Sequence, residues 1–156
     1  MKKLFLALVL IALATIQLNW PSFLVFFNNR PDLLLAFAIA SAFRFNFRTA
    51  LLLGLVSGLL KDAFLPSAVA VNTFTFGIWV YLVFRLSSQI STDNDYVRLA
   101  VMLIVALLNN LVLGFHVLGA GSYLPAGIFL RNLVLSSIYT GAVFIPVMRL
   151  SGKVSA

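Results

Sequence analysis

The chain has 156 residues, of which 62% are hydrophobic and 10% are charged, and it contains no cysteine. Soluble domains average roughly 45–50% apolar and about 25% charged residues, so this composition indicates an integral membrane protein. The formal net charge is +7, but the basic residues stand singly between apolar segments, whereas nucleic-acid-binding proteins cluster them on one water-facing patch. The absence of cysteine excludes disulfides, thiolate nucleophiles and zinc-thiolate sites.

Six apolar segments, separated by polar or basic residues, follow one another along the chain. Each is close to the roughly 20 residues that a transmembrane helix needs. In chain order, we expect spans at Leu4–Trp20, Pro31–Phe47, Arg48–Leu65, Val69–Phe84, Val97–Val117 and Gly127–Met148. The sequence therefore predicts an all-α polytopic membrane protein that folds as a single six-helix bundle over residues 1–156.

The first segment shares some features with a signal peptide. Lys2 and Lys3 precede an apolar run, and Ala12–Ala14 resembles a small-residue cleavage site. The apolar character continues to Phe27, however, and Trp20 stands where an aromatic anchor at the membrane interface belongs. We therefore favour an uncleaved anchor helix over a cleaved signal peptide.

No loop separates the second and third segments, so the basic cluster Arg44–Arg48 is predicted to form the turn between them. Segments of this length extend about 25–27 Å as helices, which crosses the hydrocarbon core if the arginines reach the interface. The alternative is a re-entrant hairpin. It would leave Arg44 and Arg48 near the middle of the membrane, where each costs a few kcal/mol, so two full spans are preferred.

Basic residues are distributed unevenly between the two faces of a six-span protein, which has both termini on one side. Three of them, Arg30, Lys61 and Arg131, fall on the side opposite to the termini. The other basic residues share the side of the termini: Lys2, Lys3, Arg44, Arg48, Arg85, Arg98, Arg149 and Lys153. Because cytoplasmic loops carry an excess of lysine and arginine, both termini are predicted to be cytoplasmic.

Asp32 and Asp62 are two of only four acidic residues in the chain, and each lies at the edge of a predicted span. Asp32 follows Pro31 at a helix start, where a carboxylate accepts backbone N–H groups and meets the positive end of the helix dipole. Asp62 lies at the unfavourable end of its helix and therefore needs a partner. Arg131 at the start of the sixth span is the predicted cation, and the alternative is solvation by water or pairing with Lys61.

Gly54 and Gly58 are spaced four residues apart on the third span and form a small-xxx-small motif. Such a motif lets the backbone of a second helix approach closely. We interpret these glycines as a packing seam. A contact inside the bundle is favoured over a contact with a partner helix, because a six-helix chain has more interior seams than exterior ones.

Polar residues within the predicted spans allow two interpretations. They can hydrogen-bond across helices and hold the bundle together, which we favour, or they can line a pocket for a small solute. The residues that could line such a pocket are Asn72, Trp79, Asn110, Tyr123 and Asn132.

Patterns of catalytic or metal-binding residues are weak in this sequence. Asp93 and Asp95 lie in a Ser/Thr/Asn-rich loop, where aspartates typically cap the next helix. Glutamate is absent and His116 is the only histidine, so no further ligands accompany the two aspartates. The sequence therefore predicts no enzyme, no cofactor and no metal site.

The segment from Arg30 to Arg85 carries a series of short motifs. It reads "RPDLLLAFAIASAF", then a short basic turn, then "ALLLGLVSGLLKDAFLPSAVAVNTFTFGIWVYLVFR". This segment resembles the rod shape-determining protein MreD family, whose second helix starts with Arg/Lys-Pro-Asp or Pro-Asn and is followed by Gly-x-x-x-Gly-Leu-Leu-x-Asp. The positions on that pattern are Pro31, Asp32, Gly54, Gly58, Leu59, Leu60 and Asp62. After the last aspartate the family usually has a glycine and often a histidine or arginine, whereas this chain has Pro66–Asn72.

The resemblance implies a non-enzymatic scaffold of the bacterial inner membrane that takes part in cell-wall insertion during rod elongation. It implies association with the single-pass protein MreC, and with MreB filaments, RodA and a penicillin-binding protein. The family is also similar in fold to the substrate-binding S components of energy-coupling-factor vitamin transporters. An S component is therefore the alternative function.

Single cysteines test the predicted topology, since the chain has none of its own. A cysteine in place of Ser91 should react with a membrane-impermeant thiol reagent only from the cytoplasmic side. One in place of Ser122 should react only from the periplasmic side, because one predicted span separates the two positions. The unsubstituted chain is the control, and labelling of both positions from one side would exclude the six-span arrangement.

Overall fold

The computed structural model describes residues 2–22, 25, 29–64, 70–90, 94–119, 121 and 125–155. Over these residues the regular secondary structure consists of six α-helices. In chain order they are α1 (Lys2–Leu18), α2 (Leu33–Arg44), α3 (Phe47–Ala63), α4 (Val71–Ser87), α5 (Asp95–Gly119) and α6 (Ala126–Ser155). The predicted all-α, six-helix architecture is confirmed.

Two helices in the described part of the chain are long and apolar enough to cross a membrane. They are α5 and residues Ala126–Ser151 of α6, while the apolar stretches of α1 and α2 are shorter. Large apolar side chains also lie on the surface: Phe74 is 71%, Leu52 63% and Phe115 60% exposed. Soluble monomers rarely expose large contiguous apolar patches. These are the features of a helical membrane protein, as the composition predicts.

The helix α2 lies at the centre of the bundle and contacts each of the other five helices. All ten residues from Leu33 to Ala42 are buried. A helix that is apolar on every side is stable only when it is buried on every side, and the many alanines of α2 let its neighbours pack closely. The core of the protein is therefore built around α2.

The structure corrects the length of the second predicted span. The prediction was Pro31–Phe47, but α2 has 12 residues, or about 18 Å at 1.5 Å per residue. It begins after Asp32, whose side chain caps it, and it ends because Phe45 adopts an extended conformation with φ −115° and ψ 162°. Phe45 and Asn46 form the turn to α3, inside the basic cluster where a turn was predicted.

The remaining helix ends lie close to the predicted ones, except at the end of α6. This helix continues past Met148 to Ser155 and contains Pro146. Membrane helices tolerate proline because neighbouring helices and side chains satisfy the freed backbone groups. Of the segment Pro66–Asn72, where the chain departs from the MreD pattern, residues 66–69 lie outside the described residues.

The seam at Gly54 and Gly58 is occupied by α4. A Cβ atom added to Gly58 would lie 2.6 Å from the carbonyl oxygen of Asn72 and 2.6 Å from Cα of Thr73. A Cβ atom added to Gly54 would lie 2.7 Å from Cγ2 of Val80. The backbones of α3 and α4 therefore pack directly against each other at Gly58. The seam is a contact between two helices of this protein, as expected, and not a contact with a partner helix.

Alanine at position 58 should destabilise the protein, although alanine in a helix normally stabilises it by roughly 0.5–1 kcal/mol relative to glycine. The added methyl group would meet the backbone of α4, which cannot rotate away as a side chain can, so we expect a loss of about 1–3 kcal/mol. Thermal unfolding in detergent measures the loss. Gly127→Ala is the control, because nothing lies within 4 Å of a Cβ atom there, and equal effects of the two changes would contradict the close contact.

Candidate functional site

The carboxylate of Asp62 caps the N-terminus of α4. Asp62 belongs to the last turn of α3, yet its Oδ1 atom accepts the backbone N–H of Asn72 at 3.0 Å and the side-chain amide of Asn72 at 2.8 Å. Its Oδ2 atom accepts the backbone N–H and the hydroxyl of Thr73, both at 2.7 Å. The residue at the usual cap position of α4, Ala70, makes no side-chain cap bond. Asp62 therefore replaces the missing cap from the preceding helix.

The predicted ion pair between Asp62 and Arg131 is wrong. Arg131 is exposed near the start of α6, and the four donors on Asp62 all belong to α4. The sequence argument correctly required a partner for a carboxylate at a helix C-terminus, but it considered only side-chain cations. The N-terminus of the following helix offers unpaired N–H groups and a positive dipole end, and the tight α3–α4 contact brings that end to Asp62.

Asp32 also caps a helix, as predicted. Its Oδ1 atom accepts the backbone N–H of Leu35 at 3.0 Å, and its own backbone N–H donates to the hydroxyl of Thr140 at 3.1 Å. Its Oδ2 atom pairs with the ammonium group of Lys61. That ammonium group also lies over the ring of Phe76, 5.2 Å from its centroid. Asp32 thus joins the start of α2 to α3 and α6.

Lys61 and Asp62 are adjacent in sequence, and their side chains hold different neighbours of α3. Lys61 binds Asp32 at the start of α2, while Asp62 binds the start of α4. Pro31, next to Asp32, is fully buried. The MreD-like residues Pro31, Asp32, Gly58 and Asp62 therefore act on one region, where the ends of α2, α3 and α4 meet.

A cleft of about 300 Å³ opens beside the Lys61–Asp32 pair, and we call it the Lys61 cleft. It is bounded by the end of α1, the start of α2, the end of α3, and the facing parts of α5 and α6. Its lining residues are Gln17, Leu18, Arg30, Pro31, Asp32, Lys61, Phe64, Asn110 and Ser136. A second space of about 200 Å³ shares Asn110 and Ser136 with it. The cleft therefore collects polar groups from five elements at one end of the bundle.

Two of the five predicted pocket residues, Asn110 and Asn132, lie at these spaces. The amide of Asn110 donates to Ser137 at 3.0 Å, and the amide of Asn29 donates to Asn132 at 3.3 Å. Asn72 instead belongs to the Asp62 cap. These bonds cross between elements, so the same side chains that line the cleft also hold its sides together.

Trp79, another predicted pocket residue, does not line the cleft. Trp79 donates its indole N–H to Asn109 at 3.2 Å, elsewhere between α4 and α5. Tyr123 lies outside the described residues. The five polar residues singled out from the sequence therefore do not form one pocket in the described part of the chain.

Sequence reasoning missed several residues of this region. Gln17 accepts the backbone N–H of Leu34 at 3.0 Å and lines the cleft. Ser136 lines it as well, and Thr140 holds the backbone of Asp32. Serine and threonine on apolar helices commonly bond their own backbone, as Thr140 does to the carbonyl of Ser136, so no sequence pattern distinguished them.

The remaining candidates from the sequence are Asp93, Asp95 and His116. Among the described residues, no group of three or more His, Cys, Asp or Glu side chains could hold a metal ion. Asp95 pairs with Arg98 at 3.1 Å in the first turn of α5, and His116 is exposed on the same helix. Asp93 lies outside the described residues.

A double-mutant cycle should show that Asp62 is coupled to α4 and not to Arg131. Asp62→Asn should lower the free energy of unfolding by about 1–2 kcal/mol, because the charged cap is lost. Combined with Thr73→Val, the loss should fall short of the sum of the two single losses by about 1 kcal/mol, since both changes remove one shared contact. Combined with Arg131→Gln, the losses should add. Additivity with Thr73→Val and coupling to Arg131→Gln would contradict the cap.

Comparison with known proteins identifies one family. The model of the rod shape-determining protein MreD family matches residues 2–154. No significant match was found among curated proteins or among solved structures. The family match extends the resemblance seen between Arg30 and Arg85 to essentially the whole length given. The chain therefore belongs to the MreD family of rod shape-determining membrane proteins.

Proposed function

We propose that the chain is a non-enzymatic scaffold of the bacterial cell-elongation machinery and that it holds an MreC-like single-pass partner. The observation that carries the proposal is the use of Asp32 and Asp62. Both carboxylates serve as helix caps at the family's own motif positions. The region that the motif defines is thus built to fix helix positions.

Catalysis needs a titratable group that is free to reach a substrate. Asp32 is committed to Leu35 and Lys61, and Asp62 is committed to four donors of α4. His116 is exposed on α5 and belongs to no group of ligand-type side chains in the described part of the chain. These commitments support a holding role over a chemical one.

The Lys61 cleft is the surface that we assign to the partner. Within the described part of the chain it is partly open, and Gln17, Arg30, Asn110 and Ser136 present both donors and acceptors along it. Such groups suit an extended polypeptide segment, whose own unpaired amides would pair with them. The caps at α2 and α4 keep the surrounding helix ends in place, so the surface is preformed and little ordering is needed on binding.

The proposed setting is the bacterial inner membrane, with six spans and both termini cytoplasmic. This orientation places the Arg44–Arg48 turn in the cytoplasm and the Lys61 cleft at the periplasmic face. MreC would then meet the cleft with the part of its chain that leaves the membrane. MreB, RodA and a penicillin-binding protein would belong to the same complex as this chain and MreC.

The size and lining of the cleft also favour a second candidate, an S component of a vitamin transporter. Small-molecule sites usually occupy about 300–1,000 Å³, and the Lys61 cleft, at about 300 Å³, is at the lower limit. Its charged and amide groups could orient a small polar solute. The two functions differ in what the cleft holds, so the same experiment can separate them.

The test compares two serine-to-leucine variants in cells depleted of the native protein. Ser136→Leu puts a bulky apolar group into the cleft and should reduce capture of an MreC-like partner by about tenfold, a loss of roughly 1.4 kcal/mol, and it should round the cells. Ser88→Leu is the matched control, because Ser88 is an exposed residue at the opposite end of the bundle. It should leave both capture and cell shape unchanged.

Other results would overturn the proposal. Unchanged capture by Ser136→Leu would place the partner on another surface. Retrieval of an energy-coupling ATPase module and a bound vitamin, together with normal cell shape after depletion, would favour the S component.

A further inference from the structure

The helices α4 and α5 leave a second, very different groove between them. α4 packs mainly on α3 and α5 mainly on α6, so the two helices make little contact with each other. The groove has a volume of about 230 Å³ and its lining is almost entirely apolar. Among its lining residues are Trp79, Leu82 and Leu86 from α4, and Val101, Ile104 and Leu108 from α5.

The groove is short compared with the membrane. Its lining extends over seven residue steps on each helix, from Trp79 to Leu86 and from Val101 to Leu108, or about 10 Å at 1.5 Å per residue. The hydrocarbon core of a bilayer is roughly 30 Å thick. The groove therefore lies within one leaflet, beside the end of α4 and the start of α5.

Basic residues follow the lining residues at one end of this groove along both helices. Arg98 lies one helical turn before Val101 and so continues the same face of α5. Its side chain is only 16% exposed, and although Nη1 pairs with Asp95 at 3.1 Å, the buried Nε atom has no hydrogen-bond partner among the described residues. Arg85 is exposed in the last turns of α4. Arg85 and Arg98 thus stand on α4 and α5 beside the lining residues Leu86 and Val101, at the same end of the groove.

We infer that this groove binds an anionic phospholipid, with one acyl chain between α4 and α5 and the phosphate group at Arg98 and Arg85. The apolar lining suits an acyl chain, and the arginines suit a phosphate oxygen, which Arg recognises through several N–H groups. Basic sites between membrane helices are a common way to hold anionic headgroups.

A transmembrane helix of a partner fits this groove less well. A helix with its side chains is about 10–12 Å across, and one that crosses the membrane needs a contact along both leaflets. A groove about 10 Å long with a volume of about 230 Å³ accommodates a single chain of that leaflet and not a helix. The inference is independent of the proposed partner site, which lies at the other end of the bundle.

Trp79 provides a direct probe, because it lines the groove and the chain has only two tryptophans. In a Trp20→Phe background, Trp79 is the only tryptophan, and phenylalanine keeps an aromatic ring opposite Tyr139, whose ring centroid lies 6.1 Å from that of Trp20. The full chain is reconstituted in vesicles of unbrominated phosphatidylcholine. One preparation contains a minor fraction of brominated phosphatidylglycerol, and the other contains the same fraction of brominated phosphatidylcholine. Bromine quenches tryptophan fluorescence only at short range.

Brominated phosphatidylglycerol should compete for the position next to Trp79 about fivefold better than brominated phosphatidylcholine at the same mole fraction, as expected for one basic residue at an anionic headgroup. Arg98→Gln should remove most of this preference, and Arg98→Lys should keep most of it. Arg149→Gln is the matched control, since Arg149 is an exposed arginine toward the same end of α6. It should leave the preference unchanged.

Four results would overturn the inference. Equal quenching by the two lipids in the unsubstituted groove would mean that no lipid is selected. A preference that survives Arg98→Gln, or that disappears equally in Arg149→Gln, would reflect overall charge and not this site. Absence of quenching by either lipid would mean that polypeptide covers the groove.

Discussion

The arrangement of α2, α3 and α4 depends on one interaction, the binding of the N-terminus of α4 by the carboxylate of Asp62. This contact fixes the start of α4 directly against the end of α3. The backbone contact at Gly58 is possible only with α4 in that position, because it involves Asn72 and Thr73, the residues that bind Asp62. With Asp62 engaged by α4, the neighbouring Lys61 remains available to Asp32.

The membrane environment explains why carboxylates cap these helices. Inside a membrane an unpaired backbone N–H group cannot turn to water, so helix ends near the hydrocarbon region need acceptors from the protein itself. Carboxylates are the strongest such acceptors, and this chain has only four acidic residues. Two of them cap α2 and α4, which lie side by side. The side chain of Lys61 in α3 pairs with Asp32, which caps α2, and Asp62 in α3 itself caps α4.

Sequence reasoning was most successful where the determinants are local. Apolar run length predicted the six helices, and a proline followed by an aspartate predicted the cap at Asp32, because both depend on neighbours in the chain. The partner of Asp62 was not predictable in this way, since it depends on where the chain returns after residues 64–70. The Lys61 cleft was missed for the same reason: Gln17, Asn110 and Ser136 are distant in sequence and meet only after five elements have packed.

The burial of Leu33–Ala42 in α2 has a consequence for biosynthesis. Some of its contacts are made with residues synthesised much later: the backbone N–H of Asp32, just before α2, donates to Thr140, 108 positions further along the chain. Until α6 has entered the membrane, α2 is a 12-residue helix with the side that contacts α6 unprotected. It follows that the bundle can close around α2 only after α6 has been synthesised.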